Sequence, residues 1–251
     1  MPMDAPHQTI VQNEKPAGKA FNIHGMHDTH DLQLSKTDHQ PEEHRSLFNR
    51  IFEKEGNHSM NENHKVTEEG SIRRLAMPKH WQQAMPDISD NKSMIGAPML
   101  TEYNPEGDRA TKMCYWNRAF GGTKESTETA ANFTRVLSQE PHHLNQQELK
   151  SLQNLIGNGV YANTDSYEVL HAETKKIHGR TVLAVESAYK ENPSQPQGRR
   201  SYGVFINSDG SGRYVEQVYF AAPERTYNSN LKEAVDCINS IKWRKESRAP
   251  F

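Results

Sequence analysis

Ser201-Tyr-Gly-Val-Phe-Ile-Asn-Ser-Asp-Gly-Ser-Gly-Arg-Tyr-Val-Glu-Gln-Val-Tyr-Phe-Ala-Ala222 carries the strongest β-hairpin pattern in the chain. Two runs rich in β-branched and aromatic residues flank a short polar segment that contains Asp209-Gly210. Asp and Gly tolerate the positive φ angles of tight turns, so this pattern predicts two antiparallel strands. Pro223 follows and ends the second strand, because proline has no backbone N–H to donate to a ladder.

Five more strands are predicted upstream of this hairpin, from short apolar runs bounded by turn residues. Gly179 supplies a tight turn between two of them, and Asn104-Pro-Glu-Gly-Asp108 has the composition of another. Short connections of this kind join antiparallel neighbours. The predicted strands cover residues 71–78, 99–103, 111–118, 167–174 and 181–189.

Helical spacing of apolar residues predicts three helices, at about residues 125–138, 145–156 and 228–241. Asn145 is the expected N-cap of the second, and Glu148, three residues later, completes a capping box. Gly157 is expected to end it. Because strands group with strands and helices with helices, the order indicates an α+β fold with antiparallel sheet.

The composition divides the chain near residue 70. Hydrophobic residues make up 33% of the chain, and no Trp or Tyr precedes Trp81. Residues 1–70 carry 7 Lys+Arg against 12 Asp+Glu and hold 8 of the 13 His. Too few large apolar groups are present there to offset the entropy of ordering the backbone. We therefore predict a polar, His-rich, mostly disordered tail over 1–70, a domain over 71–245, and a loose C-terminus over 246–251.

One segment of the tail has an apolar stripe, made by Leu47, Phe48, Ile51 and Phe52. It predicts a short helix near 44–55, which would form only when docked on another surface because about three turns are marginal in water.

Charge and hydropathy limit the classes of partner. The chain has 30 Lys+Arg and 32 Asp+Glu, with no long Lys/Arg run, so no nucleic-acid partner is expected. No apolar run approaches the length of a transmembrane helix, and the first residues lack a secretory signal. We predict a cytoplasmic protein without membrane insertion, whose partner is another protein, and leave non-classical export open. The sequence does not determine the oligomeric state.

Histidines form the first group of candidate site residues. His24, His27 and His30 lie three residues apart beside Asp28 and Asp31, and imidazole with carboxylate is a metal-ligand set. The alternative for this cluster is a solvated polar tail. His142 and His143 form a second pair, expected in a loop, that would serve a metal site or an enzyme.

A second group comprises candidate interaction residues in the predicted domain. Glu186 lies in an otherwise apolar strand, where it is either a functional buried carboxylate or the ion-pair partner of a neighbouring cation such as Arg200. Arg199 and Arg200 give charge to the loop 191–200, a candidate binding surface, and Trp81 is an amphipathic anchor. We predict no catalytic residue and no cofactor, and we interpret the two Cys as buried free thiols.

Leu75-Ala-Met-Pro-Lys-His-Trp81 resembles the opening strand and Pro-x-x-Trp corner of the PsbP-like superfamily. That superfamily shares its fold with the Ran-binding Mog-type import factors and the bacterial DcrB-like proteins. Val218-Tyr-Phe-Ala-Ala-Pro223 and Ile238-Asn-Ser-Ile-Lys-Trp243 resemble its C-terminal half, so the resemblance covers roughly residues 71–244. It implies an antiparallel sheet of about six strands between helices, an α-β-α sandwich.

The resemblance also implies a non-enzymatic role in protein binding or assembly. Two other hypotheses stay open at this point. One is a metal-binding protein or enzyme that uses His142, His143 or the tail histidines. The other is an effector-type protein that is exported without a cleaved signal.

Overall fold

The computed structural model describes residues 33–34, 60–64, 70–84, 100–119, 123–157, 167–189 and 198–248. These belong to the unit Asp31–Phe251, whereas the other unit, Met1–His30, lies outside the described residues. Three predictions also fall outside them: the tail cluster His24, His27 and His30, the helix near 44–55, and most of the loop that precedes Arg199.

The described ranges contain eleven strands and four helices. The strands are β1 (Gln33–Leu34), β2 (Met60–His64), β3 (Gly70–Pro78), β4 (Trp81–Ala84), β5 (Leu100–Pro105), β6 (Lys112–Ala119), β7 (Tyr167–Ile177), β8 (Arg180–Tyr189), β9 (Arg199–Asn207), β10 (Tyr214–Pro223) and β11 (Lys242–Arg248). The helices are α1 (Lys124–Leu137), α2 (Gln146–Ser151), α3 (Gln153–Gly157) and α4 (Glu224–Asn239).

The main sheet has eight strands in the order β1-β7-β8-β9-β10-β6-β5-β4. Neighbouring strands of this sheet are antiparallel, except that the two-residue β1 pairs with β7 in parallel. The predicted α+β fold with a large antiparallel sheet is confirmed. The strand number exceeds the expected six because β4 and β1 extend the two edges.

A second sheet has the order β11-β3-β2, so the predicted first strand does not join the main sheet. Two of its pairings reach beyond the predicted domain boundaries: Met60 in β2 pairs with Pro78, and Arg248 in β11 pairs with Gly70. The folded body therefore takes in short pieces of both predicted flanking regions. These strands are polar in sequence and carry no apolar alternation that would mark them.

Helices pack on both faces of the main sheet. On one face, Ala184, Val204 and Val218 lie in a core that α4 completes. On the other, α1, α2 and α3 bury a separate core that includes Leu183 and Phe205. Consecutive residues of a strand point to opposite faces, so two cores form on one sheet. This is the layered arrangement that the resemblance implied.

Local capping matches the prediction for α2. The side chain of Asn145 accepts a hydrogen bond from the backbone N–H of Glu148, and Glu148 accepts one from the N–H of Asn145. The last helix begins at Glu224, directly after Pro223 and four residues before the predicted start.

Candidate functional site

A row of titratable side chains crosses the α4-facing side of the main sheet. His171, Glu173 and Lys175 alternate along β7, and the β8 residues opposite the last two, Ala184 and Val182, belong to the core under α4. Side chains of register partners lie on the same face of a sheet. We call this row the polar strip, and its members are His143, His171, Glu173, Lys175, Glu186, Arg200, Tyr202 and Tyr227.

The deep end of the polar strip is an ion pair. Nη2 of Arg200 donates to Oε1 of Glu186, and both residues are almost fully buried. The guanidinium carbon lies 4.4 Å from the ring centroid of Tyr227 on α4. Burial, with the nearby charge of Glu186, raises the pKa of Tyr227 well above its usual value, so this phenol stays neutral. Of the two interpretations of Glu186, the structure shows the ion pair.

The middle of the strip is a half-buried amine. Nζ of Lys175 donates to the hydroxyl of Tyr202 at 3.0 Å and to Oδ1 of Asn239 at 2.9 Å. Burial lowers the pKa of Lys175 to about 8, against the opposing charge of Glu173. Burial also raises the pKa of Tyr202 well above its usual value, and the charges of Glu173 and Glu186 act in the same direction.

The open end brings two imidazoles to one carboxylate. Oε2 of Glu173 lies 3.6 Å from Nδ1 of His143 and 3.5 Å from Nε2 of His171. The two imidazole rings meet edge to face, with centroids 4.9 Å apart. One donor atom from each of the three residues lies within 4.8 Å of the others. Such a group of His and Glu donors is able to hold a metal ion.

Backbone pairing places His143 at this end. The N–H of Thr174 donates to the carbonyl of His142 at 2.8 Å, and the N–H of Leu144 donates to the carbonyl of Ala172 at 3.0 Å. His143 is thereby set opposite Glu173 in an antiparallel bridge. The segment 142–144 also covers part of the edge of β7.

His142 turns away from its neighbour. Its Nε2 lies 3.2 Å from Oε1 of Glu148, the carboxylate that also caps α2, and its Nδ1 lies 2.8 Å from the carbonyl of Glu140. The structure therefore separates the two histidines that the sequence analysis had paired: His143 joins the polar strip, and His142 belongs to the cap of α2.

A second surface feature is cationic. Paired strands β3 and β11 display five basic side chains, which we call the basic sheet face: Arg73, Arg74, Lys242, Arg244 and Lys245. Arg244 is half-buried and the other four are exposed. Lys242 pairs with Arg74, but the next residue, Trp243, pairs with Ile72, so one step along β11 corresponds to two along β3. At this irregularity both Arg73 and Arg74 are exposed. Strand pairing thus brings together two short basic stretches, Arg73–Arg74 and Lys242–Lys245, that lie far apart in the sequence.

The other predicted interaction residues lie in or near the core. Trp81 is 3% exposed, packs on Phe220 and donates its indole N–H to Glu233 at 3.3 Å. Arg199 is half-buried and donates to the carbonyl of Ala110 at 2.6 Å. These contacts give both side chains a role in packing.

Both cysteines are buried free thiols, as predicted. Burial raises the pKa of Cys114 to about 12, and burial raises that of Cys237 further. Because the thiolate is the nucleophile, these thiols are inert near neutral pH.

Sequence reasoning missed His171, Glu173 and Lys175. Their signal is a period of two along β7, where these titratable residues alternate with the buried Ala172 and Thr174. Tyr202 and Tyr227 have no such signal, because the pairing of β9 with β8 brings Tyr202 to the strip and the packing of α4 on the sheet brings Tyr227.

Comparison with known proteins finds similarity only among solved structures: no family model and no curated protein matches the chain. PsbP from the cyanobacterium Synechocystis sp. PCC 6803 is 11% identical, with 75% of this chain and 95% of that chain covered and a TM-score of 0.42. LpqN of Mycobacterium tuberculosis, a protein involved in cell envelope biogenesis, is 14% identical, with coverages of 74% and 90% and a TM-score of 0.38.

A Bacteroides thetaiotaomicron protein is also 14% identical, with 72% of this chain but only 50% of that chain covered and a TM-score of 0.37. A PsbP is thus among the structures to which this chain is similar, as the resemblance led us to expect. Such low identities and scores carry no information on activity or partner. Within the described ranges, no helix has the length and apolar character needed to cross a membrane.

Proposed function

We propose that this chain is a non-enzymatic protein-binding module that captures an acidic segment of a partner protein on its basic sheet face. The observation that carries this proposal is that two paired strands carry five cationic side chains, four of them exposed and one half-buried. The whole chain has a formal net charge of −2, so the charge of this surface is opposite in sign to the net charge of the chain. Complementary charge accelerates encounter and selects the partner.

The cations sit on a rigid support. Trp243, between Lys242 and Arg244, turns inward and donates its indole N–H to the carbonyl of Ile177 at 2.7 Å. The guanidinium of Arg180 lies over the Trp243 ring, 5.1 Å from its centroid. Because strand side chains alternate, the inward Trp243 fixes its two basic neighbours outward.

The shape of the face favours an acidic protein segment over nucleic acid. Alternate residues of a strand lie about 7 Å apart and neighbouring strands about 5 Å apart, so the five charges are confined to a short length of two paired strands. Proteins that follow a nucleic-acid strand combine a longer basic groove with exposed aromatic rings that stack on bases. The ring of Trp243 is turned into the protein instead.

The state of the buried reactive groups supports binding over catalysis. The thiols of Cys114 and Cys237 are buried with raised pKa values. The carboxylate of Glu186 is engaged by Arg200, and that of Glu216 accepts hydrogen bonds from Ser71 and its neighbours. Groups held in this way serve packing.

The test uses a fluorescein-labelled peptide of eight glutamates as an acidic probe, at low and at physiological salt. We expect binding that weakens with salt, and a loss of about tenfold in affinity for Arg73→Glu/Lys245→Glu, since exposed charge pairs each contribute modestly. Binding that is unchanged in this variant contradicts the proposal. Tighter binding of a single-stranded DNA probe, lost in the same variant, would assign the face to nucleic acid.

Lys124→Glu/Arg225→Glu is the matched control, because it changes the net charge equally at exposed positions elsewhere. Both residues lie in the first turn of a helix, where a negative charge is favourable, so the control should not lose stability. Arg225 is at the start of α4, whereas β11 follows its end, about 24 Å away for a helix of 16 residues. The affinity of this control variant for the acidic peptide should stay within about twofold of the wild type.

A further inference from the structure

We propose that His143, His171 and Glu173 form a binding site for one divalent transition-metal ion of the Zn²⁺ class. The proposal is independent of the basic sheet face, with which these residues share no member. It rests on the geometry of three side chains that two separate segments of the chain bring together.

The distances are close to those of a metal centre. Zn²⁺ binds imidazole nitrogen and carboxylate oxygen at about 2.0–2.2 Å, which places neighbouring donors of a tetrahedral site about 3.4 Å apart. Oε2 of Glu173 already lies 3.6 Å and 3.5 Å from the nitrogens of His143 and His171. The donor atoms of all three lie within 4.8 Å of one another, so small side-chain rotations complete the site.

The donor set has the right chemistry. Two imidazoles and one carboxylate suit borderline divalent ions such as Zn²⁺. Neutral imidazole and ionised carboxylate are the forms in which these side chains bind a metal.

The backbone holds the donors in place before any ion arrives. His171 and Glu173 are alternate residues of β7, in a sheet whose next strand, β8, is paired along nearly its whole length. His143 is fixed opposite Glu173 by the backbone bonds that flank it. Donors on regular elements are positioned more precisely than donors on loops.

The site is also accessible. The side chain of His143 is 65% exposed, whereas those of His171 and Glu173 are 16% and 21% exposed. An ion can enter from the side of His143, and three protein ligands leave a position for water or for a donor from a partner. Bound metal would tie segment 142–144 to β7 and stabilise the folded chain.

The experiment is calorimetric titration of Zn²⁺ into the full chain carrying His24→Gln/His27→Gln/His30→Gln, so that the predicted tail cluster does not contribute. We expect binding of one ion per chain to remain. His143→Gln or Glu173→Gln, added singly, should weaken it by at least about tenfold, because changes to the groups behind metal ligands already cost 10–100-fold. Both variants should keep the circular dichroism spectrum of the parent, since neither side chain belongs to a core.

His142→Gln is the matched control: the adjacent histidine is engaged with Glu148, and its replacement should leave the affinity within about twofold. Ring-nitrogen NMR signals of His143 and His171 should shift on Zn²⁺ addition, and that of His142 should not. Two results would overturn the site: no binding after the tail substitutions, or binding that His143→Gln and Glu173→Gln leave unchanged. Neither result bears on the acidic-peptide test.

Discussion

Arg200 and Glu186 form a buried ion pair across strands β8 and β9, with side chains only 8% and 3% exposed. The register sets Glu186 opposite Tyr202 and Arg200 opposite Ala188, so the bond runs diagonally between the strands. The guanidinium also stacks on Tyr227, which connects the pair to α4. The pair therefore fixes how α4 packs on the main sheet.

Removing one member of this pair should lower the free energy of unfolding much more than removing both. Arg200→Met leaves Glu186 as an uncompensated buried charge and should lower the free energy of unfolding by about 3–5 kcal/mol. In Glu186→Leu/Arg200→Met neither charge of this pair remains, and a far smaller loss is expected. Urea denaturation of the singles and the double measures both. Additive losses would contradict this account, and removal of the exposed Lys176–Glu140 pair, which should cost at most about 1 kcal/mol, is the control.

Glu216 should fasten β3 to the main sheet. Its buried carboxylate accepts hydrogen bonds from the backbone N–H groups of Ser71 and Ile72 and from the hydroxyls of Ser71 and Ser208. Glu216→Gln replaces one acceptor by a donor that faces other donors, so we expect a loss of about 3 kcal/mol. The amides of Ser71 and Ile72 should also exchange hydrogen faster.

Glu128→Gln is the control for this change, because Glu128 is exposed on α1 and its replacement should stay within about 0.5 kcal/mol of the wild type. Equal stabilities of the two variants would show that the four hydrogen bonds contribute nothing. Because β3 carries Arg73 and Arg74, looser attachment should also weaken binding of the acidic peptide.

Lys175 should make stability depend on alkaline pH. Its pKa falls from 10.5 to about 8 on folding, because the amine is buried. Between pH 8 and 10.5 the unfolded chain binds more protons than the folded one, so the free energy of unfolding rises with pH. Below pH 8 the amine is charged in both states, and the cost of burying that charge is then largest. Relative to Lys175→Met, the wild type should gain up to roughly 3 kcal/mol between pH 7 and 10.5.

The measurement is urea denaturation of both proteins across that range. Only the difference between them matters, because tyrosine and cysteine titrations in the unfolded chain are common to both and cancel. A difference that stays constant with pH would mean that Lys175 keeps its ordinary pKa in the folded state.

Interactions between residues close in the sequence determined many of the turns and helix ends of this protein. Asp209-Gly210 predicted its hairpin, and Asn145 with Glu148 predicted a helix start that the capping hydrogen bonds confirm. Such signals are readable because turns, caps and apolar periodicities depend on residues only a few positions apart. The α+β class followed from the order of the elements they define.

Contacts between residues far apart in the sequence depended on the tertiary structure. His143 meets His171 only because segment 142–144 pairs with β7, and Arg74 lies opposite Lys242 only because β11 returns to β3. Backbone hydrogen bonds make these pairings, and they leave no periodic mark in polar strands such as β2 and β11. The sequence by itself thus determined the elements and their class. The register between strands decided which charges and imidazoles share a surface, since that register is set by packing across the whole sheet.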